Sequence, residues 1–191
     1  EVTALMVDGD RSNPQKTTSP RSTDPIGRAG SAFVAALDLG TPVTVTLGHA
    51  TPGKPKLAEV SSQPISTLIG QMLPMSDNTL AETIARVISK ESGGGGTAVS
   101  LNSIIPGALV NLGFNTTGVT IRDGSGLSAS NAIPPLLMAQ LMASVSTGAQ
   151  GLGNVDAQLH GIIPHYSRLR PAWPGASFPA TSSSFSSMLP E

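Results

Sequence analysis

Ser76-Asp77-Asn78 is the tripeptide whose residue types could do chemistry. A serine hydroxyl can relay a proton, and an asparagine amide offers a donor and an acceptor at once. Acyl transfer to a serine uses such a relay to protonate the leaving amine and such an amide to clamp the substrate. The tripeptide falls in the break between two amphipathic segments, so two helices could hold it rigidly at a cleft. Read by itself, it also fits an ordinary helix N-cap, a position that Ser, Asp and Asn all favour.

Other groups of reactive residues lead nowhere as clearly. Asp123-Gly124-Ser125-Gly126-Leu127-Ser128 lacks the Gly-x-Ser-x-Gly of a nucleophile elbow, because position 123 is Asp. It reads as a tight turn in which the Asp side chain bonds nearby backbone. Gly93–Gly96 has no Lys-Ser/Thr ending and no strand before it, which argues against a phosphate loop. His49, His160 and His165 have no partners at helical i, i+4 spacing, so no metal site is expected. Asp8-Gly9-Asp10 is a turn without the ligand series of a calcium loop. The lysines, Lys16, Lys54, Lys56 and Lys90, complete no Ser-x-x-Lys and no Lys-Thr-Gly.

The elements that must position Ser76-Asp77-Asn78 follow from local pattern. Residues 65–73 predict a short helix with Ile65, Leu68, Ile69, Met72 and Leu73 inward, broken by Pro74. A second helix starts after the tripeptide, with Thr79-x-x-Glu82 at capping-box spacing and Leu80, Ile84, Val87 and Ile88 on one face. Upstream, Asp24-Pro25 opens a helix whose face uses Ile26, Ala29, Phe33 and Leu37, ended by Gly40. Strands are expected at 2–7, at 43–47, where Val and Thr alternate, at 57–60, and at 119–121. Residues 97–112 predict a helix kinked or broken at Pro106. Asn131 is the expected cap of a last helix over 134–145.

Composition bounds the classes. The chain has 191 residues, 39% of them apolar and 12% charged, with a formal net charge of -1, which argues against a nucleic-acid partner. It has no cysteine, so disulfides, thiolate nucleophiles and Cys-ligated zinc are excluded. No apolar run approaches the ~18 residues of a membrane-spanning helix. No signal peptide is visible and residue 1 is not Met, the expected look of an internal piece of a longer chain. Beyond about Gly151 the only charges are Asp156, Arg168, Arg170 and Glu191, and Ser and Pro are dense, so residues 149–191 are expected to be an irregular tail.

Several segments together resemble a known family. Ser62-Gln63-Pro64-Ile65-Ser66-Thr67-Leu68-Ile69, then Met72-Leu73-x-x-Ser76-Asp77-Asn78-x-Leu80-Ala81-Glu82, is similar to the middle motif region of the class C low-molecular-mass penicillin-binding proteins. These are the D-alanyl-D-alanine carboxypeptidase/endopeptidases of bacterial cell-wall metabolism. Asp123-Gly124-Ser125-Gly126-Leu127-Ser128-x-x-Asn131 resembles the segment that follows in that family. Val2 to Gly9 and the helix at Asp24 to Leu37 look like its actinobacterial branch. The similarity runs over roughly residues 1–145.

The resemblance implies an α/β fold: part of a penicillin-recognising serine transpeptidase/β-lactamase-like domain, mainly its helical part, with a few N-terminal strands. It implies three segments: 1–62 at the return from the family's large insertion, 63–148 carrying Ser-Asp-Asn, and the tail 149–191. Ser76 is implied to shuttle a proton with the catalytic lysine and leaving amine. Asn78 is implied to hold the substrate's peptide backbone and help place that lysine, and Asp77 to be structural. The implied reaction is hydrolysis of D-Ala-D-Ala bonds or D-amino-acid cross-links in peptidoglycan stem peptides, through an acyl-serine intermediate. β-Lactams are the implied ligands of the intact family protein, no metal or organic cofactor is implied, and the implied location is the cell envelope, outside the cytoplasmic membrane. The nucleophile Ser, its Lys and the Lys-Thr-Gly strand are absent from this sequence, so this chain alone is expected to show no peptidase activity. A non-catalytic relative that binds peptidoglycan or a partner, and a plain helical scaffold capped at Ser76, are the competing readings. A partial domain would expose apolar faces, with Ile84, Val87, Leu137 and Leu141 as candidates.

Overall fold

The computed structural model describes residues 2–155 apart from 4, 17, 50 and 154. Its helices are α1 (Pro25–Leu37), α2 (Ile65–Met75), α3 (Asn78–Glu91), α4 (Ala98–Asn111) and α5 (Pro135–Thr147). Their starts are local and chemical. Asp24 caps α1 by accepting the Gly27 N–H, and Pro25 takes the first helical position, where its missing N–H is no loss. Thr97 and Ser100 form a reciprocal capping box at the start of α4.

α2 packs on α3 and α3 on α4, so the middle of the chain is a helical cluster. Leu101 and Leu137 are fully buried, and Ile84, Phe114, Ile121 and Val145 are buried in the same part of the chain. Ile84 and Leu137 therefore belong to the core, not to the exposed faces expected of them. Val87 is exposed as expected, and Leu141 is half-buried.

The expected helical part is present; the strands expected of an α/β fragment are corrected. Among the described residues, pairing of β type is confined to two isolated antiparallel bridges, Arg11 with Arg21 and Thr120 with Ala132. The described residues of 2–7, and residues 43–47 and 57–60, do not form strands. An alternating segment becomes a strand only when a neighbour takes its N–H and C=O groups. Val43, Val45, Leu47, Leu57 and Val60 are exposed instead, with no such neighbour among the described residues. The strand expected at 119–121 is reduced to the Thr120 bridge.

Helix ends differ from expectation in instructive ways. α1 ends at Leu37 with Asp38 in the left-handed conformation, ahead of Gly40. Of its expected face, Ala29 is buried but Phe33 and Leu37 are exposed. α2 continues past Pro74 to Met75, and α4 passes through Pro106 without ending. α5 starts after Pro134 with no side-chain cap, and Asn131 does not serve as one. Of the tail expected over 149–191, Ala149–Gly151 is a 3₁₀ turn; positions beyond 155, His160 and His165 among them, lie outside the described residues.

Candidate functional site

The corner between α2 and α3 is built by backbone. Ser76 has φ 49° and ψ 46°, the left-handed region. Its N–H donates to the Leu73 carbonyl (3.2 Å), and the Asp77 N–H donates to the Met72 carbonyl (3.1 Å). This is the Schellman closure of a helix, with serine where glycine is usual. Holding a non-glycine residue there costs about 1–3 kcal/mol and persists only where the surroundings fix it; such strain concentrates at functional sites.

Asp77 is what fixes it. As N-cap of α3, its Oδ1 accepts from the N–H groups of Thr79 and Leu80, both at 3.0 Å. Arg21 Nη2 donates across both carboxylate oxygens, at 3.0 and 2.8 Å. The structural role expected of Asp77 thus has a geometry. The capping box expected at Thr79-x-x-Glu82 does not form, because Asp77 caps two residues earlier and Glu82 is used elsewhere. Ser76 and Asn78 are exposed, on either side of Asp77. Among the described residues, neither the Ser76 hydroxyl nor the Asn78 side-chain amide has a hydrogen-bond partner.

Glu82, one helical turn along α3, is buried and accepts the backbone N–H groups of Gly124 and Ser125 (3.2 Å for Ser125) while paired with Arg86 Nε at 2.6 Å. It ties the Asp123–Ser128 turn to the helix that carries Asn78. A Cβ on Gly124 would stand 2.3 Å from the Ala85 Cβ, so the turn lies too close to α3 for any side chain there. Asp123 organises the turn itself, accepting from Ser125 Oγ (3.1 Å), Gly126 N (3.0 Å), Ser128 N (2.8 Å) and Asn131 Nδ2 (2.7 Å). Burial alone would raise its pKa; the Asn131 amide, the Ser128 and Gly126 N–H groups and the Ser125 hydroxyl outweigh that and hold it below the usual carboxylate value. Asn131 also accepts the Arg122 N–H at 2.7 Å, which explains why it does not cap α5.

The segment before α1 braces the same corner. Buried Asp10 accepts the Ser22 hydroxyl (2.6 Å), the Ser22 N–H (2.9 Å) and Arg28 Nη1 (2.8 Å). The Ser22 hydroxyl bond leads in lowering its pKa, helped by the Ser22 N–H and Arg28 against some desolvation. A cleft of about 730 Å³ opens between this segment and the α2–α3 corner, with Arg21, Gln71, Asp77, Thr79 and Thr83 in its wall. Ser76 and Asn78 do not line it. No group of His, Asp and Glu among the described residues is arranged to hold a metal ion, and no helix there is long and apolar enough to cross a membrane.

The structure therefore brings Ser76, Asp77 and Asn78 to one exposed corner and anchors the Asp123 turn to the adjoining helix. Arg21, Asp10 and the anchoring use of Glu82 have no local signal in the sequence. Their partners lie 56, 12 and 42 positions away.

Comparison with known proteins agrees in extent with the resemblance over roughly residues 1–145. The family model described as D-Ala-D-Ala carboxypeptidase 3 (S13) matches residues 1–153. Carboxypeptidase DacB of Mycolicibacterium smegmatis is 30% identical over 147 residues, 77% of this chain and 32% of that protein. A carboxypeptidase of Mycobacterium tuberculosis is 33% identical over 136 residues, 69% of this chain and 28% of its own length. A D-alanyl-D-alanine carboxypeptidase of an Actinomadura strain is 32% identical over 124 residues, 61% of this chain and 23% of its own. The chain thus spans about a third or less of the relatives it matches. No solved structure matches significantly.

Proposed function

Given that this chain belongs to the D-Ala-D-Ala carboxypeptidase 3 (S13) family, we propose that its α2–α3 corner is one wall of a serine acyl-transfer site acting on peptidoglycan stem peptides. The observation that carries this is the state of Ser76: a non-glycine residue held at φ 49° with an exposed, unpartnered hydroxyl. The left-handed backbone closes α2, while Asp77 supplies the cap of α3, so the Ser76 side chain is not used by either helix end.

In this reading Ser76 relays a proton between a catalytic lysine and the leaving amine. The Asn78 amide accepts from and donates to the substrate's peptide backbone and helps place that lysine. Asp77 and Glu82 hold the two loops, and neither touches substrate. The bond cleaved is the terminal D-Ala-D-Ala amide or a D-amino-acid cross-link. The acyl group passes to a serine in a Ser-x-x-Lys segment that this sequence lacks, and a Lys-Thr-Gly strand completes the opposite wall. The fold of the whole catalytic unit is then that of the penicillin-recognising enzymes, with residues 63–148 as its helical part, and the place of action is the cell envelope. β-Lactams, as mimics of the cleaved amide, are ligands of that assembled site and not of this chain by itself.

The test is a transplant. Residues 1–153 replace the matching segment of the Mycolicibacterium smegmatis carboxypeptidase, and the hybrid is offered a D-Ala-D-Ala peptide. Release of D-alanine by the hybrid, and none by the 191-residue chain alone, supports the proposal. A folded hybrid that releases none, beside an active parent, refutes it.

A further inference from the structure

We infer that Arg21 is a positioning residue for the Ser76–Asn78 loop, clamping it to the segment before α1. The role assigned to the clamp rests on the acyl-transfer reading of that loop; the clamp itself rests on geometry alone. Three observations converge on Arg21. Its Nη2 spans both oxygens of Asp77, while its Nε donates to the Gly9 carbonyl at 2.9 Å. One planar group therefore joins two segments that are otherwise far apart in the chain. Its own backbone is fixed in turn, by the bridge to Arg11 and by the neighbouring Ser22–Asp10–Arg28 cluster.

At the other end, neither the Ser76 hydroxyl nor the Asn78 amide is held by a side-chain bond among the described residues. The directions in which they point are set by the backbone of 75–79, and the anchor of that backbone is Asp77. A carboxylate that only capped α3 could pivot about its Oδ1 bonds to Thr79 and Leu80. Arg21 takes the second oxygen and removes that freedom. The pair is partly exposed, with side-chain exposures of 30% for Arg21 and 15% for Asp77, so its contribution to global stability is small. Its effect is on local order, which is what a site with a strained serine needs.

The experiment uses the full 191-residue chain and needs no catalysis. Amide hydrogen exchange and amide chemical shifts are read by NMR for the unsubstituted protein, Arg21→Ala and Arg21→Lys. The clamp requires that Arg21→Ala speed exchange at Thr79 and Leu80 about fivefold. It also requires shifts in the Ser76, Asp77 and Asn78 signals, with the core amides of Leu101 and Leu137 unchanged. Arg21→Lys keeps a charge beside Asp77 but cannot also reach the Gly9 carbonyl, so it restores only part of the protection; it serves equally if the alanine variant fails to fold. Unchanged loop signals overturn the inference, as does a rise of the same size at Leu101 and Leu137, which marks a merely structural residue. A silent hybrid enzyme together with loop-selective changes here would remove the acyl-transfer reading and leave the clamp standing. The reverse pairing would remove the clamp alone.

Discussion

Removing the Glu82 carboxylate is expected to detach the Asp123 turn from α3, and its magnitude can be worked from the bonds lost. Glu82→Ala leaves the Gly124 and Ser125 N–H groups without their acceptor. An unsatisfied buried donor costs about 1–3 kcal/mol. The turn is only half-buried, so water entering the space left by the side chain recovers part of that, and about 2 kcal/mol for the two together is the sensible figure. The bond to Arg86, whose side chain is 32% exposed, adds about 0.5 kcal/mol after solvent screening. The expected loss is therefore about 2–3 kcal/mol. Glu82→Gln tests the charge separately. Its one carbonyl oxygen can serve the turn or Arg86, but the amide NH₂ must then face another donor, so a loss of about 1–2 kcal/mol is expected. Urea unfolding followed by circular dichroism reads both as a shift in midpoint at constant slope. If Glu82→Ala shifted stability by less than about 0.5 kcal/mol, the ordinary effect of a surface change, the anchoring role of Glu82 would be refuted.

Further outcomes follow from the same geometry. Gly124→Ala places a methyl group 2.3 Å from the Ala85 Cβ, so the turn must lift from α3, with an expected loss of about 1–3 kcal/mol by urea unfolding; a neutral variant would mean that the close approach is not required. Asp10 and Asp123 both have folded pKa values lowered from 3.8. The folded state thus holds their protons less tightly than the unfolded state does. Their stabilising effect is present above 3.8 and is lost as pH falls through the lowered folded values. The urea midpoint should fall with acidification in that range, and Asp123→Asn should make the fall shallower. A midpoint independent of pH down to about 2.5 would contradict the role of both carboxylates.

What was legible in the sequence was what is local. Asp24-Pro25 is a cap and a first helical residue within two positions, and α1 starts there. The 3.6-residue pattern around Leu68 and Met72 and around Leu80 and Ile84 located α2 and α3, and the corner between them fell where the proline and the Ser-Asp-Asn string indicate. It is the resemblance, not the local pattern, that separates the string from a plain cap. In the structure Asp77 is the cap, and its neighbours Ser76 and Asn78 are exposed. The expected strands do not form because alternation is a side-chain pattern and does not supply a pairing partner. Val43-Thr44-Val45-Thr46-Leu47 alternates well and is still unpaired among the described residues. Local pattern gives Glu82 and Asn131 capping roles, and each makes longer-range bonds instead, to the backbone of the Asp123 turn and to Asp123 itself. Arg21 had no pattern to announce it, because its function depends on two carbonyl and carboxylate partners that only the folded chain brings together.

We propose that Ser76 belongs to a proton relay and not simply to a helix end. It is tested most directly by the rate of D-alanine release from the hybrid enzyme with and without Ser76→Ala. In Ser76→Ala, kcat is expected to fall by about 10²–10⁴-fold with KM changed little, the size typical of losing a positioned proton-transfer group. A variant within about threefold of the unsubstituted hybrid in kcat would contradict it and return Ser76 to the end of a helix.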